Sequence, residues 1–110
     1  MAFEAGTVIV VNFPGVTGIK RRPVVVLSSP KYHATRPDVI VGLLTSRTVA
    51  TLSPTDYELQ DWKLVGLKKP SVFRSFLATL PRAAQPQVVG RLSERDWVAV
   101  KACIAKALVT

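Results

Sequence analysis

The amino-acid sequence predicts a mainly β chain with added α structure: a small, twisted, partly barrel-like antiparallel sheet closed by one C-terminal helix. Three observations lead there. Short runs rich in β-branched residues recur along the chain and are separated by Pro and Gly. No crossover helix stands between the early runs, which argues against a βαβ array. From Ser93 onward, apolar residues fall three or four apart, the spacing of one helical face.

Thr7 to Phe13 is a β-branched run ended by Pro14 and Gly15, so it reads as a buried first strand, with Gly15 to Gly18 a flexible loop. Pro23 to Ser29 reads as the second strand, Pro30 to Pro37 as a polar connection, and Asp38 to Ser46 as the third strand. A Thr- and Ser-rich loop, Thr48 to Thr55, leads to a brief strand at Tyr57 to Leu59 and a helical turn from Trp62 to Leu67 broken by Gly66. Ser71 to Leu80, bounded by Pro70 and Pro81, is the next strong strand, and Val88 to Leu92 a short sixth. Ser93 is the N-cap of the closing helix, with Asp96 at the third helical position as in a capping box and Glu94 favouring the positive end. Trp97, Val100, Ile104 and Leu108 form the stripe that should pack on the sheet.

With 110 residues, 48% of them hydrophobic, the chain supports one domain spanning 1–110 around a single core. Fifteen Lys and Arg against seven Asp and Glu give a formal charge of +8, an excess that favours a polyanionic partner. Cys103 is the sole cysteine and His33 the sole histidine, so neither an intramolecular disulfide nor a metal or cofactor site is expected. Cys103 reads as a small apolar helix residue, and His33 as a polar turn residue near the surface. Glu4 precedes the first apolar run, and no span approaches the ~20 apolar residues of a membrane helix, so a soluble, cytoplasmic protein is expected.

Chemistry concentrates in two places. Lys20, Arg21 and Arg22 stand directly before Pro23, whose missing N–H places the triplet in a loop feeding the Val24 to Leu27 strand, with three charges meeting solvent together. Thr45, Ser46 and Arg47 end the apolar run of the third strand and supply hydroxyls that could share one site with the arginines. Cations and hydroxyls together suit a phosphodiester.

Familiar hydrolytic machinery is missing: there is no supported Ser-His-Asp set, no P-loop and no evident carboxylate pair, since Asp56, Glu58 and Asp61 read as solvated. What remains is cleavage of RNA by its own 2′-hydroxyl, with the protein supplying orientation and charge. A guanidinium fork can grip two nonbridging phosphate oxygens and holds them more tightly as charge builds there. One such donor is worth roughly 3 to 4 kcal/mol in the transition state. A basic barrel that binds RNA without cleaving it remains an alternative on the residues alone.

The order of segments GTVIVVNFPG, RRPVVVLS, VGLLTS, GLKKPSVFR and GRLSERDWVAVKACIAKAL resembles the MazF/PemK toxin family over nearly the whole chain. The resemblance implies an SH3-like antiparallel β-barrel forming a homodimer. It also implies metal-independent, sequence-selective cleavage of single-stranded RNA by a toxin of a type II toxin-antitoxin system, neutralised by a cognate antitoxin. Carried onto matching positions, it assigns catalysis to Arg22 and Thr45, with Arg74 of SVFRSFLATL as the third member. Lys20, Arg21, Ser46, Arg47, Lys68 and Lys69 would then bind substrate. The chain departs from the PemK pattern at Phe76, where an acidic residue is usual, and in the short GVTGIK loop, so the usual general bases are missing. A CcdB-like poison that cleaves no RNA shares this fold, but the terminus KALVT lacks the ending such proteins use.

Overall fold

The computed structural model describes residues 3–15, 18–46 and 52–109. Six strands form one antiparallel sheet: β1 (Thr7–Gly15), β2 (Gly18–Val26), β3 (Val39–Thr45), β4 (Asp56–Glu58), β5 (Val72–Leu80) and β6 (Gln87–Arg91). Their order is β4-β5-β3-β2-β1-β6, so the chain returns across the sheet to lay β6 beside β1. The sheet curls into a half-barrel with helix α3 (Glu94–Ala107) at its C-terminal end. One-turn helices α1 (Pro30–His33) and α2 (Trp62–Val65) and a 3-10 turn (Arg82–Ala84) occupy the connections.

Strand alternation sorts the apolar residues into two clusters. Val8 and Val25, which pair across β1 and β2, join Leu44, Phe73, Val100 and Cys103 beneath α3. Their neighbours Ile9 and Val24 point the other way, to Val11, Phe13, Val26, Val39, Val41 and Leu80. Two buried layers thus replace the single core expected. Cys103 belongs to the helix-side layer, where burial pushes its thiol pKa up.

The second strand begins earlier than its composition suggests. Gly18 pairs with Gly15, and the register runs without break through Lys20, Arg21, Arg22 and Pro23, opposite Phe13, Asn12, Val11 and Val10. The cationic triplet therefore lies inside β2 rather than in a loop ahead of it, and the expected flexible loop has its ends paired as a hairpin. Proline is accommodated because β3 reaches β2 only at Val24, Val25 and Val26. Upstream of those residues β2 has a partner on one side alone, the edge situation in which Pro is tolerated.

The end of α2 requires glycine twice. Gly66 caps it in the left-handed region at φ 105°. At Gly90 of β6, any Cβ would collide with the Val65 carbonyl, so the close seating of α2 on β6 depends on that missing side chain.

The start of α3 also differs from expectation. Ser93 Oγ accepts from the Asp96 N–H at 3.3 Å, as an N-cap should, but the Asp96 carboxylate does not return to Ser93. It is wholly buried and accepts from the Tyr57 hydroxyl at 2.7 Å, the Gln60 N–H at 3.0 Å and the Asp61 N–H at 2.9 Å. Asp61 in turn accepts from Ser93 Oγ at 2.6 Å and takes two 2.7 Å bonds from Arg95. Neither aspartate is a solvated surface charge. Leu108 stands past the helix end and is exposed, so the packed stripe is Trp97, Val100, Cys103 and Ile104.

Candidate active site

One face of three strands changes character along its length. Reading alternate residues, β2 goes from Val24 to Arg22 to Lys20, β3 from Val41 to Leu43 to Thr45, and β5 from Ala78 to Phe76 to Arg74. The apolar ends are joined in the layer remote from α3, and the polar ends converge. A bulge assists, because β5 advances from Leu77 to Phe73 while β3 advances only from Gly42 to Leu44.

The convergence forms a groove of about 500 Å³ lined by Lys20, Arg21, Arg22, Pro23, Leu44, Thr45, Ser46 and Arg74. Beside it lies a second hollow of about 420 Å³, lined by Leu43, Ser53, Thr55, Asp56, Ser75 and Phe76 and sharing Thr45 and Arg74. Arg22, Thr45 and Arg74 thus border a common space.

Their states differ. Arg22 has no hydrogen bond or ion pair among the described residues. The Thr45 hydroxyl is buried and likewise lacks a partner there, a condition that costs about 1–3 kcal/mol. Arg74 is held: its Nε donates to Asp56 Oδ1 at 3.1 Å, and the Asp56 side chain is only 8% exposed. Burial pushes the Asp56 pKa up, but hydrogen bonding from Ser53 and the Arg74 charge outweigh it, leaving the carboxyl below its ordinary value. The Ser53 N–H reaches Asp56 Oδ2 at 3.0 Å.

Asp56, in the adjoining hollow, is a site residue that sequence reasoning missed. It faces Arg74 only because the three-residue β4 pairs with β5, with Asp56 opposite Arg74 in register. Nothing local in its sequence announces that pairing.

Other anticipated residues fall elsewhere. Arg21 borders the groove, but its guanidinium is engaged by backbone: Nη1 donates to the Gln85 carbonyl at 2.7 Å and the Ala84 carbonyl at 3.4 Å, and Nη2 to the Val10 carbonyl at 3.3 Å. It ties β2 to the turn where Gln85 adopts a left-handed φ of 53°. Lys20 and Arg21 are exposed and Arg22 half-buried, so all three reach solvent, but Arg21 is also held by backbone carbonyls. Lys68 and Lys69 are exposed in the α2–β5 connection and line neither hollow. Arg47 lies outside the described residues, as does the first half of the expected Thr48 to Thr55 loop.

His33 is half-buried near the surface, with Nε2 2.9 Å from Ser28 Oγ, and borders neither hollow. Trp62 packs against the helix-side layer with Lys63 over its ring. Among the described residues, no three His, Cys, Asp or Glu side chains group as metal ligands would, and no helix is long and apolar enough to cross a membrane. Three guanidinium groups, one of them held by backbone carbonyls, an ammonium and two hydroxyl-bearing residues around one groove suit a phosphodiester.

A family model described as PemK-like, MazF-like toxin of type II toxin-antitoxin system matches residues 4–108. The fold is similar to a MazE-MazF structure from Deinococcus radiodurans, with TM-score 0.78 and 20% identity over 97% of this chain and 96% of that one. It is also similar to an endoribonuclease in complex with its cognate antitoxin from a mycobacterial species, with TM-score 0.72 and 18% identity over 96% and 94% of the two chains. No curated protein sequence matches the chain significantly.

Proposed function

This chain belongs to the PemK-like, MazF-like toxin family of type II toxin-antitoxin systems, and we propose that it is a metal-independent, sequence-selective endoribonuclease acting on single-stranded RNA. The observation that carries the reading is the common groove bordered by Arg22, Thr45 and Arg74. In this reading the 110 residues act as one toxin domain in the cytoplasm, form a homodimer, and are neutralised by a cognate antitoxin.

The chemistry follows from the residues. The ribose 2′-oxygen gives up its proton to solvent and attacks the adjacent phosphorus, and the bond to the 5′-oxygen breaks as that oxygen takes a proton from solvent, leaving a 2′,3′-cyclic phosphate and a 5′-hydroxyl. Negative charge grows on the nonbridging oxygens during this step. Arg22, without a partner among the described residues, grips them more tightly in the transition state than in the ground state. Thr45 contributes a hydroxyl donor that has no competing partner among the described residues. Arg74 adds a second cation in a fixed position, and Asp56 fixes it. Asp56, whose carboxylate is taken up by the Arg74 guanidinium and the Ser53 N–H, is a positioning group rather than the base. Lys20 and Ser46 border the same groove and help seat the strand, while the net charge of +8 draws RNA toward it.

Purified protein incubated with unstructured RNA in excess EDTA should yield fragments ending in cyclic phosphate. Arg22→Ala should slow that cleavage about a hundredfold or more. Intact RNA in the presence of folded protein overturns the reading, and salt-sensitive binding without cleavage replaces it with a non-catalytic RNA-binding barrel.

A further inference from the structure

Two positions beyond Arg74, on the same face of β5, Phe76 lines the hollow shared with Thr45, Asp56 and Arg74 while remaining 57% exposed. The core does not account for this ring, because Phe13 beside it is already buried and the strand face is turning polar there. Nor does the ring hang loose. Its centroid is 5.7 Å from that of Phe13 at an interplanar angle of 69°, an edge-to-face contact that limits its orientation. An exposed aromatic ring, braced from behind and adjacent to a phosphate-sized cluster of arginines, is what an unpaired nucleobase stacks on.

We infer that Phe76 is a base-stacking platform, taking the face of a nucleobase next to the phosphate held by Arg22 and Arg74. This inference rests on reading the groove as an RNA site and adds to it a subsite that sets the register of the strand. At this position Phe76 presents a π-surface, which accepts the face of a base and adds no negative charge to repel the backbone. Stacking tolerates every base, so losing the base at this position should matter more than changing it.

The test has two stages. A single-stranded RNA library with a randomised window, cleaved in EDTA and sequenced, locates preferred sites. An oligonucleotide spanning one site, with 2′-deoxyribose at the attacking nucleotide so that it binds uncleaved, is then scanned with single abasic replacements. Wild-type protein should lose affinity about tenfold when one particular nucleotide beside the scissile phosphate loses its base. Phe76→Ala should bind the intact oligonucleotide about tenfold more weakly and be indifferent to that same replacement. Phe76→Tyr should behave as wild type, and Phe76→Leu, which keeps apolar contact with Phe13, should behave as Phe76→Ala.

Identical abasic profiles for wild type and variants overturn the inference, as does a Phe76→Leu variant that retains wild-type affinity. A change of oligomeric mass in Phe76→Ala also overturns it, by assigning the ring to an interface between copies. The two levels separate cleanly: cleavage with a profile insensitive to Phe76 removes the stacking role alone, whereas no cleavage of the library by wild-type protein removes the ribonuclease reading and this inference with it.

Discussion

Two polar clusters in this protein use similar residues in opposite ways. At the foot of α3, Asp96 accepts from three donors while Asp61 accepts from Ser93 and Arg95, so these buried or half-buried groups pair with one another. At the groove between β2, β3 and β5, Arg22 and the Thr45 hydroxyl find no partner among the described residues. Folding tolerates the second arrangement only because Arg22 is partly open to water and because a single unmet hydroxyl is a small fraction of total stability. The contrast separates polar groups that hold the fold from polar groups left available for a ligand. Arg74 stands between the two, since it faces the groove yet is fixed by Asp56.

The contrast is testable from both sides. The largest effect should come from Asp96→Ala, which strands the Tyr57 hydroxyl and two backbone N–H groups inside the protein. Urea denaturation should show a loss of about 3–5 kcal/mol, while cleavage per folded molecule stays near wild type. Unchanged stability would break the distinction at its strongest point.

Arg22→Ala should do the reverse. Its unfolding free energy should stay within about 0.5 kcal/mol of wild type while cleavage falls by the large factor given above. Asp56→Asn, which removes the charge that aims Arg74, should lower kcat about tenfold with a smaller change in KM. Because the Arg74 side chain is 38% exposed, the ion pair itself should contribute little to stability, and thermal denaturation of the variant should show that.

Thr45→Val is smaller still for the fold. Replacing an unpartnered buried hydroxyl by a methyl should leave unfolding unchanged or raise its free energy by up to about 1 kcal/mol, while cleavage declines. A marked loss of stability would mean that the hydroxyl is satisfied after all.

The smallest effect at neutral pH concerns Asp61, whose carboxyl is pulled down to about 2 by its bonds to Arg95 and then Ser93, from an ordinary value of 3.8. Between these values the unfolded chain binds the extra proton. The stabilisation from this pairing is therefore complete above about pH 5 and is lost as pH falls through 4 toward 2. Urea midpoints measured from pH 2 to 6 should show that decline, and Asp61→Asn should flatten much of it.

Local signals explain which parts were legible beforehand. Ser93 and the apolar spacing behind it announce α3, since capping and helical periodicity involve residues within about four positions of one another. The β-branched runs of β1 and β3 and the apolar, proline-bounded run of β5 are likewise local features. The start of β2 was hidden, because Pro23 reads as a breaker until one knows that β3 stops short of it. Asp56 and Asp61 read as solvated charges and Asp96 as a capping residue, since the partners that decide their roles lie 18, 34 and up to 39 residues away. Arg21 and Arg22 could not be told apart by type, and they were separated by which partners each meets: a backbone clasp for one, an open groove for the other.

By itself, then, the chain's order of residues determined the elements, their alternation, the excess of positive charge and the resemblance to a toxin family, because each depends on near neighbours or on simple sums. Only the tertiary structure decided which charges are consumed in holding the fold and which stay open. That division depends on pairings such as β4 with β5 and β6 with β1, formed when the sheet curls and brings distant segments into register.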